Sequence, residues 1–404
     1  MMAGKTTGIL VLFIGLALCA SAASAQSIFS LNFLGQHLSA GDARGSALGY
    51  SSLAVVDTLS AIPANKASLS WINSITLSLY EVSSISRVNT ETETSNQNRF
   101  MLPSAHLVVP IREGLVAGIG FNTRFAGRGE MTFVRDFDYS PVPKELYETN
   151  ISLYSVPVSL SWRPADWISF SGEVQIEKGS TKDEVYVYFE EPLFASMSSI
   201  RTRGFSGTSW GVSMLMRVHP RFFVGAAFDD GVDYTVEETR EYSLSRLDTV
   251  FTYDFELPPA WSAGIAVGLS DRWWLSSSFW MREAPDPVGF ENLRGDLSDQ
   301  TVLSFGLERR RSGEGGKIAK MPLRFGYYED RWHLEFPSGE QIVSRFFTVG
   351  SGFGMPGGPG RIDYTLEFGK TGSVSSNRVD EKTFRLGISM SLSERWSKRK
   401  VERH

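Results

Sequence analysis

Polar and apolar residues alternate with a period of two along much of the chain. In segment 154–162 every even position is large and apolar or aromatic, and every odd position is small or polar apart from Pro157. Segments 168–177, 361–368 and 384–392 repeat this alternation. Because successive side chains of a strand point to opposite faces, the alternation predicts a sheet with one apolar and one polar face.

The alternating segments predict about fourteen strands. They lie near residues 75–87, 100–111, 115–126, 150–162, 167–178, 208–218, 221–234, 250–269, 273–282, 301–309, 321–330, 342–350, 361–369 and 384–394. Their connections tend to alternate between short turns and long polar loops, and the long loops are 88–99, 127–149, 179–207, 235–249 and 283–300. An even number of antiparallel strands with short turns at one end is typical of outer-membrane barrels. Two turns on the short side, 310–320 and 351–360, are longer than this arrangement expects.

A soluble β-sandwich would show the same alternation, because it buries its apolar faces between two sheets instead of turning them to lipid. The alternating turn lengths favour the barrel. Aromatic residues form 12% of the chain, enough for the aromatic girdles of a membrane barrel. We therefore predict an all-β fold in which residues 73–396 form a transmembrane antiparallel β-barrel.

The first 25 residues have the parts of a secretory signal peptide. Lys5 precedes an uncharged apolar stretch, 8–20, and Ala23-Ser24-Ala25 has the form of a cleavage site. The apolar stretch is shorter than the ~20 residues of a membrane helix, and Leu18 stands before Cys19 where a lipoprotein signal needs a small residue. Residues 1–25 are therefore predicted to be a cleaved signal peptide, and the mature chain to reside in the outer membrane.

Composition and motifs argue against enzymatic, metal and nucleic-acid functions. The chain after residue 25 has no cysteine, and the 40 Lys and Arg of the whole chain, against 45 Asp and Glu, form no basic stripe. Gly207–Gly211 matches a nucleophile elbow and Gly352–Gly357 a nucleotide-binding loop, but neither is followed by the helix that such sites require. The five histidines lack metal-ligand spacing. We predict no catalytic residue, metal site or cofactor, and interpret residues 397–404 as a solvated, basic periplasmic tail.

Residues 26–72 precede the first predicted strand and do not alternate. They contain the small-residue segment Gly41-Asp42-Ala43-Arg44-Gly45, then Asp57, then Asn65-Lys66-Ala67-Ser68-Leu69. This order resembles the N-terminal hatch of the long-chain fatty-acid transporter (FadL/TodX) superfamily, which ends in an Asn-Pro-Ala-x-Leu element. Lys66 replaces the proline of that element and places a charge near the lumen floor.

Segments 257–273 and 321–327 also resemble the family, as its Pro-led hairpin and its Pro-Leu-Arg-x-Gly-Tyr strand. The last strand runs from Phe384 and keeps its apolar parity to Trp396, as outer-membrane assembly signals do. Eight residues follow Trp396, whereas the terminal aromatic of such assembly signals is normally at or very near the last position.

The resemblance implies a 14-stranded barrel whose lumen is plugged by a small, partly helical hatch, residues 26–72. It also implies passive uptake of hydrophobic molecules such as long-chain fatty acids, through an apolar lumen pocket, with release by hatch movement and a strand kink. The expected partners are the ligand, outer-membrane lipids and lipopolysaccharide, and the assembly machinery, around a monomeric barrel. By resemblance, the hatch and gating residues are Gly41, Asp42, Gly45, Asp57, Asn65, Lys66, Ala67 and Leu69.

Other functions stay open at this point. The segment 41–45 also resembles PorV-type components of a protein secretion system, in which the barrel is an interaction platform; a blocked lumen would favour that function. An outer-membrane lipid hydrolase would need a Ser–His pair, and neither His106 nor His219 has an evident serine partner. A general porin is the remaining alternative. Three loop residues, Phe189, Leu193 and Phe194, could line an access groove.

Overall fold

The computed structural model describes residues 27–31, 33–38, 41–91, 93–134, 143–189, 196–243, 249–290, 295–310, 321–335, 339–355 and 360–394. The predicted signal peptide, the tail 397–404, Trp396, Leu193 and Phe194 lie outside these ranges. Among the described residues, no helix is both long enough and apolar enough to cross a membrane.

The strands form one closed antiparallel barrel of 14 strands, as the alternation predicts. Each strand pairs with its neighbours in sequence, and the last strand closes the barrel on the first, with Glu394 opposite Ile75. The strands are β1 (Ile75–Thr90), β2 (Thr94–Arg112), β3 (Leu115–Val134), β4 (Lys144–Ala165), β5 (Ile168–Tyr188), β6 (Met197–His219), β7 (Phe222–Asp229 and Val232–Tyr242), β8 (Thr249–Leu257 and Ala260–Gly268), β9 (Trp273–Arg282), β10 (Gln300–Arg309), β11 (Leu323–Glu335), β12 (Gln341–Gly354), β13 (Gly360–Ser373) and β14 (Val379–Glu394).

The apolar face of each strand points out of the barrel. On β4, Val158, Leu160 and Trp162 are 52%, 51% and 48% exposed, whereas Ser159 and Ser161 between them are buried inside. A sheet that exposes its apolar face around a closed barrel is suited to lipid rather than to water. The tight turns after β2, β4, β6 and β8 lie at one end, which we call the inner end, and the opposite end is the outer end.

Several predicted long loops are mostly strand. β3 continues to Val134 and β4 begins at Lys144, so nearly all the described residues of the predicted loop 127–149 are strand. Likewise, β5 runs to Tyr188 and β6 starts at Met197. Beyond the apolar belt both faces carry polar residues, so the hydrophobic alternation disappears while the backbone ladder of hydrogen bonds continues. For this reason the prediction of long loops was wrong at 127–149 and 179–207.

β7 and β8 are each broken at the outer edge of the apolar belt. The break in β7 falls at Asp230-Gly231, and the break in β8 at Pro258-Pro259. Gly231 has a positive φ of 83°, and a Cβ there would meet the Leu257 carbonyl oxygen at 2.2 Å. Proline has no N–H to donate to a neighbouring strand, so the ladder of hydrogen bonds is interrupted at Pro258-Pro259. This interruption lies beside the break at Asp230-Gly231.

A seam separates β2 from β3 toward the outer end. These strands pair from Ser104 opposite Asn122 to the inner end, and the described residues show no pairing between them beyond that point. A two-residue strand, Gln36–His37, pairs instead with the free edge of β3, at Phe125 and Ala126. The N-terminal segment therefore closes part of a gap in the barrel wall.

Candidate functional site: the plugged lumen

The described residues of segment 27–71 lie inside the barrel and divide into two parts. The inner part, Gly41–Trp71, fills the inner half of the lumen and contacts inward-facing residues all around the wall, from Ser78 of β1 to Ser276 of β9 and Glu367 of β13. The outer part, Ser27–Leu38, lies in the outer half. The described residues of this segment therefore form a plug that lies in both halves of the lumen.

The short helix α1 (Ala43–Ala47) of the plug packs closely against the wall of the inner half. Asp42 caps it, accepting a hydrogen bond from the Gly45 backbone N–H at 2.9 Å. The wall approaches through glycines: a Cβ on Gly326 would meet the Gly49 nitrogen at 2.2 Å, and a Cβ on Gly350 would meet the Ala47 Cβ at 2.4 Å. Small residues on both sides thus allow backbone to lie against backbone.

Three arginines and three carboxylates form a closed ring of ion pairs at the inner end. Arg44 contacts Asp57 at 2.9 Å and Glu308 at 2.8 Å. Asp57 contacts Arg361 at 2.5 Å, and Arg361 pairs with Asp363. Arg324 completes the ring, 2.7 Å from Asp363 and 2.9 Å from Glu308. We call these six residues the ion ring.

The ion ring joins the plug to the wall, because Arg44 and Asp57 belong to the inner part and the other four residues to β10, β11 and β13. Burial alone would raise the pKa of the Asp57 carboxyl, but the Arg361 and Arg44 guanidiniums outweigh that effect and hold the pKa far below its ordinary value. Burial, and then repulsion from Asp57, raise the pKa of the Asp42 carboxyl. Asp57 is therefore an anion under all ordinary conditions.

The Asn65–Leu69 element binds the opposite wall. Asn65 donates to the Met214 carbonyl at 2.8 Å and caps the 3-10 helix Lys66–Trp71 by accepting from the Ala67 N–H at 3.0 Å. The Ser161 hydroxyl donates to the Lys66 carbonyl at 2.8 Å. Leu69 is buried in an apolar cluster with residues of β2 and β3.

The predicted gating residues thus occupy one connected, buried region. Gly41 precedes the helix cap with a positive φ of 155°, and its carbonyl accepts a hydrogen bond from the Ser104 hydroxyl at 3.3 Å. Phe384, the described member of the predicted assembly signal, is half-exposed on the outer face of β14 and contacts Phe368. The ion-ring partners on the wall were missed. Their signal was present, because Arg361, Asp363 and Glu308 occupy polar positions of alternating strands, which point inward.

The outer part of the plug is held mainly by apolar contacts. Phe33 packs against Phe255 and Phe290, with ring centroids 5.8 and 4.6 Å apart. Phe29 contacts Trp332 at 6.4 Å and lies in a second buried apolar cluster. Polar contacts add to these, and one of them is the Ser27 hydroxyl, which donates to Glu381 at 2.5 Å.

A cavity of about 190 Å³ lies where the two parts of the plug meet the wall. Leu53 and Lys66 of the inner part and His37 of the outer part line it, and so do Ser104 and Asn122, where the seam between β2 and β3 begins. Its lining mixes apolar side chains, such as that of Trp280, with charged ones. The apolar lumen pocket expected from the sequence is thus replaced by an amphipathic one.

Four charged wall residues line this cavity: Arg124, Glu173, Asp229 and Arg282. Polar interiors are usual in outer-membrane barrels, since the apolar faces point to lipid. The apolar character expected for the lumen is found instead in the outer half, where Phe33 and its neighbours fill the space.

The other sequence motifs are structural. Ser209, within the elbow-like motif, lies on β6 and donates to Glu177 at 3.3 Å. His106 points into the lumen and pairs with Asn122 at 2.8 Å, whereas His219 is exposed at an inner turn. In the described part of the chain no group of His, Cys, Asp and Glu is arranged to hold a metal ion.

Comparison with known proteins gives matches in structure alone. No protein-family model and no curated protein matches the chain. A Pseudomonas aeruginosa FadL homologue superposes with a TM-score of 0.62 at 12% identity, over 88% of this chain and 99% of that chain. The chain has the fold of the FadL and TodX barrels.

Two further solved structures support that fold assignment. The P. putida toluene transporter TodX matches with a TM-score of 0.58 at 12% identity, over 89% of this chain and 100% of its own. The CymD monoaromatic hydrocarbon channel matches with a TM-score of 0.56 at 13% identity, over 88% and 97%. The expected resemblance is therefore confirmed for the architecture of the barrel.

Proposed function

We propose that the chain is a bacterial outer-membrane channel for passive uptake of small, largely hydrophobic molecules. The observation that carries the proposal is the cavity between the plug and the wall, whose lining includes Ser104 and Asn122 at the seam of β2 and β3. A molecule in this cavity lies next to the place where the wall is open to the outer half of the lipid belt. Similarity to barrels described as a toluene transporter and a hydrocarbon channel agrees with this function.

The route that we propose passes the outer part of the plug and leaves through the seam. Gln36–His37 covers the edge of β3 with a two-residue pairing, and the Leu38 N–H donates to the Arg124 carbonyl at 2.9 Å. So short a strand detaches at little cost, because few backbone hydrogen bonds hold it. The inner part, with Gly41, Asp42, Gly45 and Asn65–Leu69, acts as the fixed floor that keeps the barrel sealed.

A reversible lock of the seam tests this route. In a double variant, Gln36→Cys with Ala126→Cys, two residues directly opposite in the pairing are joined by a disulfide. Toluene uptake into proteoliposomes should fall to the level of empty liposomes when the pair is oxidised and recover on reduction. Equal uptake in both redox states would contradict the route, and no uptake by the unmodified barrel would contradict the proposed function itself.

The matched control joins two strands that are already fully paired. Ser83 of β1 and Leu386 of β14 lie directly opposite each other on the outer face of the wall. The pair Ser83→Cys with Leu386→Cys forms the same bond without closing a seam. Its oxidation should leave uptake unchanged, which separates an effect of the lock from an effect of the oxidant.

A second candidate is the PorV-like function, an interaction platform in a secretion system. The blocked lumen favours it, since the plug fills both halves and the ion ring fastens it to the wall. In that case the outer surface would bind protein, and the seam lock would change nothing. Loss of secreted proteins from cells that lack this barrel, together with no toluene uptake, would support the second candidate.

A further inference from the structure

Two buried cations face the cavity with donor atoms that have no acceptor among the described residues. These atoms are Nε and Nη1 of Arg282 and Nζ of Lys66. Arg282 is 4% exposed and Lys66 is 9% exposed, and both line the cavity. A buried donor without an acceptor costs about 1–3 kcal/mol, and more when it is charged, so these groups call for an acceptor.

The carboxylates near the cavity do not supply that acceptor. Asp229 is 3.1 Å from Arg124, and Glu177 is 3.6 Å from the same guanidinium. Glu173 accepts a long hydrogen bond from Gln175 through Oε1, at 3.4 Å, and its Oε2 has no hydrogen-bond partner among the described residues. No described carboxylate lies within 4.0 Å of Arg282, which makes no ion pair in this part of the chain.

The surroundings of Arg282 select the kind of anion. Its guanidinium lies 5.4 Å from the centre of the Trp280 ring, and Trp280 stacks on His37 with centroids 4.8 Å apart. A planar guanidinium binds a carboxylate through two parallel hydrogen bonds, and the neighbouring aromatic rings offer an apolar surface. The volume of about 190 Å³ suits one ring, since a cavity of about 150 Å³ holds benzene.

We propose that this cavity binds a small single-ring organic anion, with its carboxylate on Arg282 and its ring beside Trp280. This site rests on the proposed function, because it specifies the ligand held in the lumen. It departs from a long-chain acyl ligand in both size and polarity. Lys66, on the plug, adds a second positive charge to the same cavity, and Arg124 adds two further unpartnered nitrogen atoms, Nε and Nη2.

Calorimetric titration of the purified barrel in a non-ionic detergent tests the proposal. The probes are benzoate, its uncharged isostere benzamide, and toluene. Benzoate should bind at least about tenfold more tightly than benzamide, because a hydrogen-bonded ion contributes more than a neutral amide. Arg282→Gln should remove that preference, and Arg282→Lys, which keeps the charge but loses the planar fork, should retain part of it.

The controls separate a specific site from general charge effects. Arg345→Gln removes an exposed arginine on the outer face of β12 and should leave benzoate binding unchanged. Lys66→Gln should weaken benzoate binding less than Arg282→Gln does. Each variant must show the heat-dependent electrophoretic shift of a folded barrel before titration.

Benzoate binding that is equal to benzamide binding, or that survives in Arg282→Gln, would overturn the proposal. Toluene binding without benzoate binding would overturn it and leave the proposed function intact. If neither binds, the proposal fails, and toluene uptake through the seam decides the proposed function separately.

Discussion

The two parts of the plug are held by different forces. The inner part is fixed by the ion ring and by its close approach to Gly326 and Gly350 of the wall. The outer part rests on aromatic contacts of Phe29 and Phe33 and on a strand of two residues, Gln36–His37. The first arrangement tolerates little movement, because removing one partner leaves a buried charge. The outer part can detach from the wall one contact at a time.

This difference indicates which end of the lumen opens. A gate must lie at the low-stability end of a protein, since opening has to occur without unfolding the rest. The inner part of the plug cannot open without breaking the ion ring, whereas the outer part can open locally. The mobile element is therefore expected at Ser27–Leu38, whereas the family resemblance directed attention to residues 41–69.

The largest expected effect comes from breaking the ion ring. Asp57→Asn leaves Arg44 and Arg361 facing each other without their shared carboxylate. Removing one partner from a buried ion network costs roughly 3–5 kcal/mol. We expect a large fall in the urea midpoint of unfolding in lipid vesicles. The exposed pair of Arg345 and Glu329 is the control, and Arg345→Gln should cost less than about 1 kcal/mol.

If the urea midpoint of the Asp57→Asn variant equals that of the unmodified barrel within experimental error, the ion ring does not hold the plug. Because the pKa of Asp57 lies far below its ordinary value, the stability of the ring is present above the unfolded pKa of an aspartate and is lost only as pH falls toward the folded value. The unmodified barrel should thus keep its midpoint through mildly acidic pH, which the same urea titration measures.

A somewhat smaller effect is expected where backbone meets backbone. Gly326→Val places a side chain where the Gly49 nitrogen lies 2.2 Å from the Cβ position. Overpacking of this kind costs roughly 1–3 kcal/mol, and it should push α1 off the wall. Protease cleavage within residues 41–71 should become faster. Gly172→Ala is the control, because no atom lies within 4 Å of its Cβ position on the lipid face.

The strand order could be predicted from the sequence, but the ring could not. Each strand can be recognised because its outward-facing residues, at every second position, are apolar. The positions between them face inward, which places Arg361 and Asp363 inside the barrel. Arg44 and Glu308 are 264 residues apart in sequence, and their contact depends on the path of the plug across the lumen. No local pattern records that path. The strand extensions beyond the belt were missed because both of their faces are polar.

A prediction for the outer part sharpens the comparison. Phe33→Ala removes the ring that packs on Phe255 and Phe290. In a protein core a Phe→Ala substitution costs roughly 3–5 kcal/mol of stability. In a segment that opens locally, the substitution favours that opening without lowering the free energy of unfolding of the whole barrel. We expect a shift of the urea midpoint worth less than about 1 kcal/mol and a several-fold rise in toluene uptake. A large midpoint shift with unchanged uptake would make the outer part a structural element like the inner part.

The smallest effect is expected at the residue that departs from the family's proline. Burial lowers the pKa of the Lys66 ammonium, and Glu173 offsets this only in part. Between the folded and the unfolded pKa the unfolded chain binds more protons, so the stability of the barrel rises with pH across that window. Lys66→Met removes the buried charge and should raise stability by about 1 kcal/mol below the window, with a difference that shrinks as pH rises through it. Urea midpoints of parent and variant at paired pH values measure this, and a constant difference would show that Lys66 is not the group that titrates.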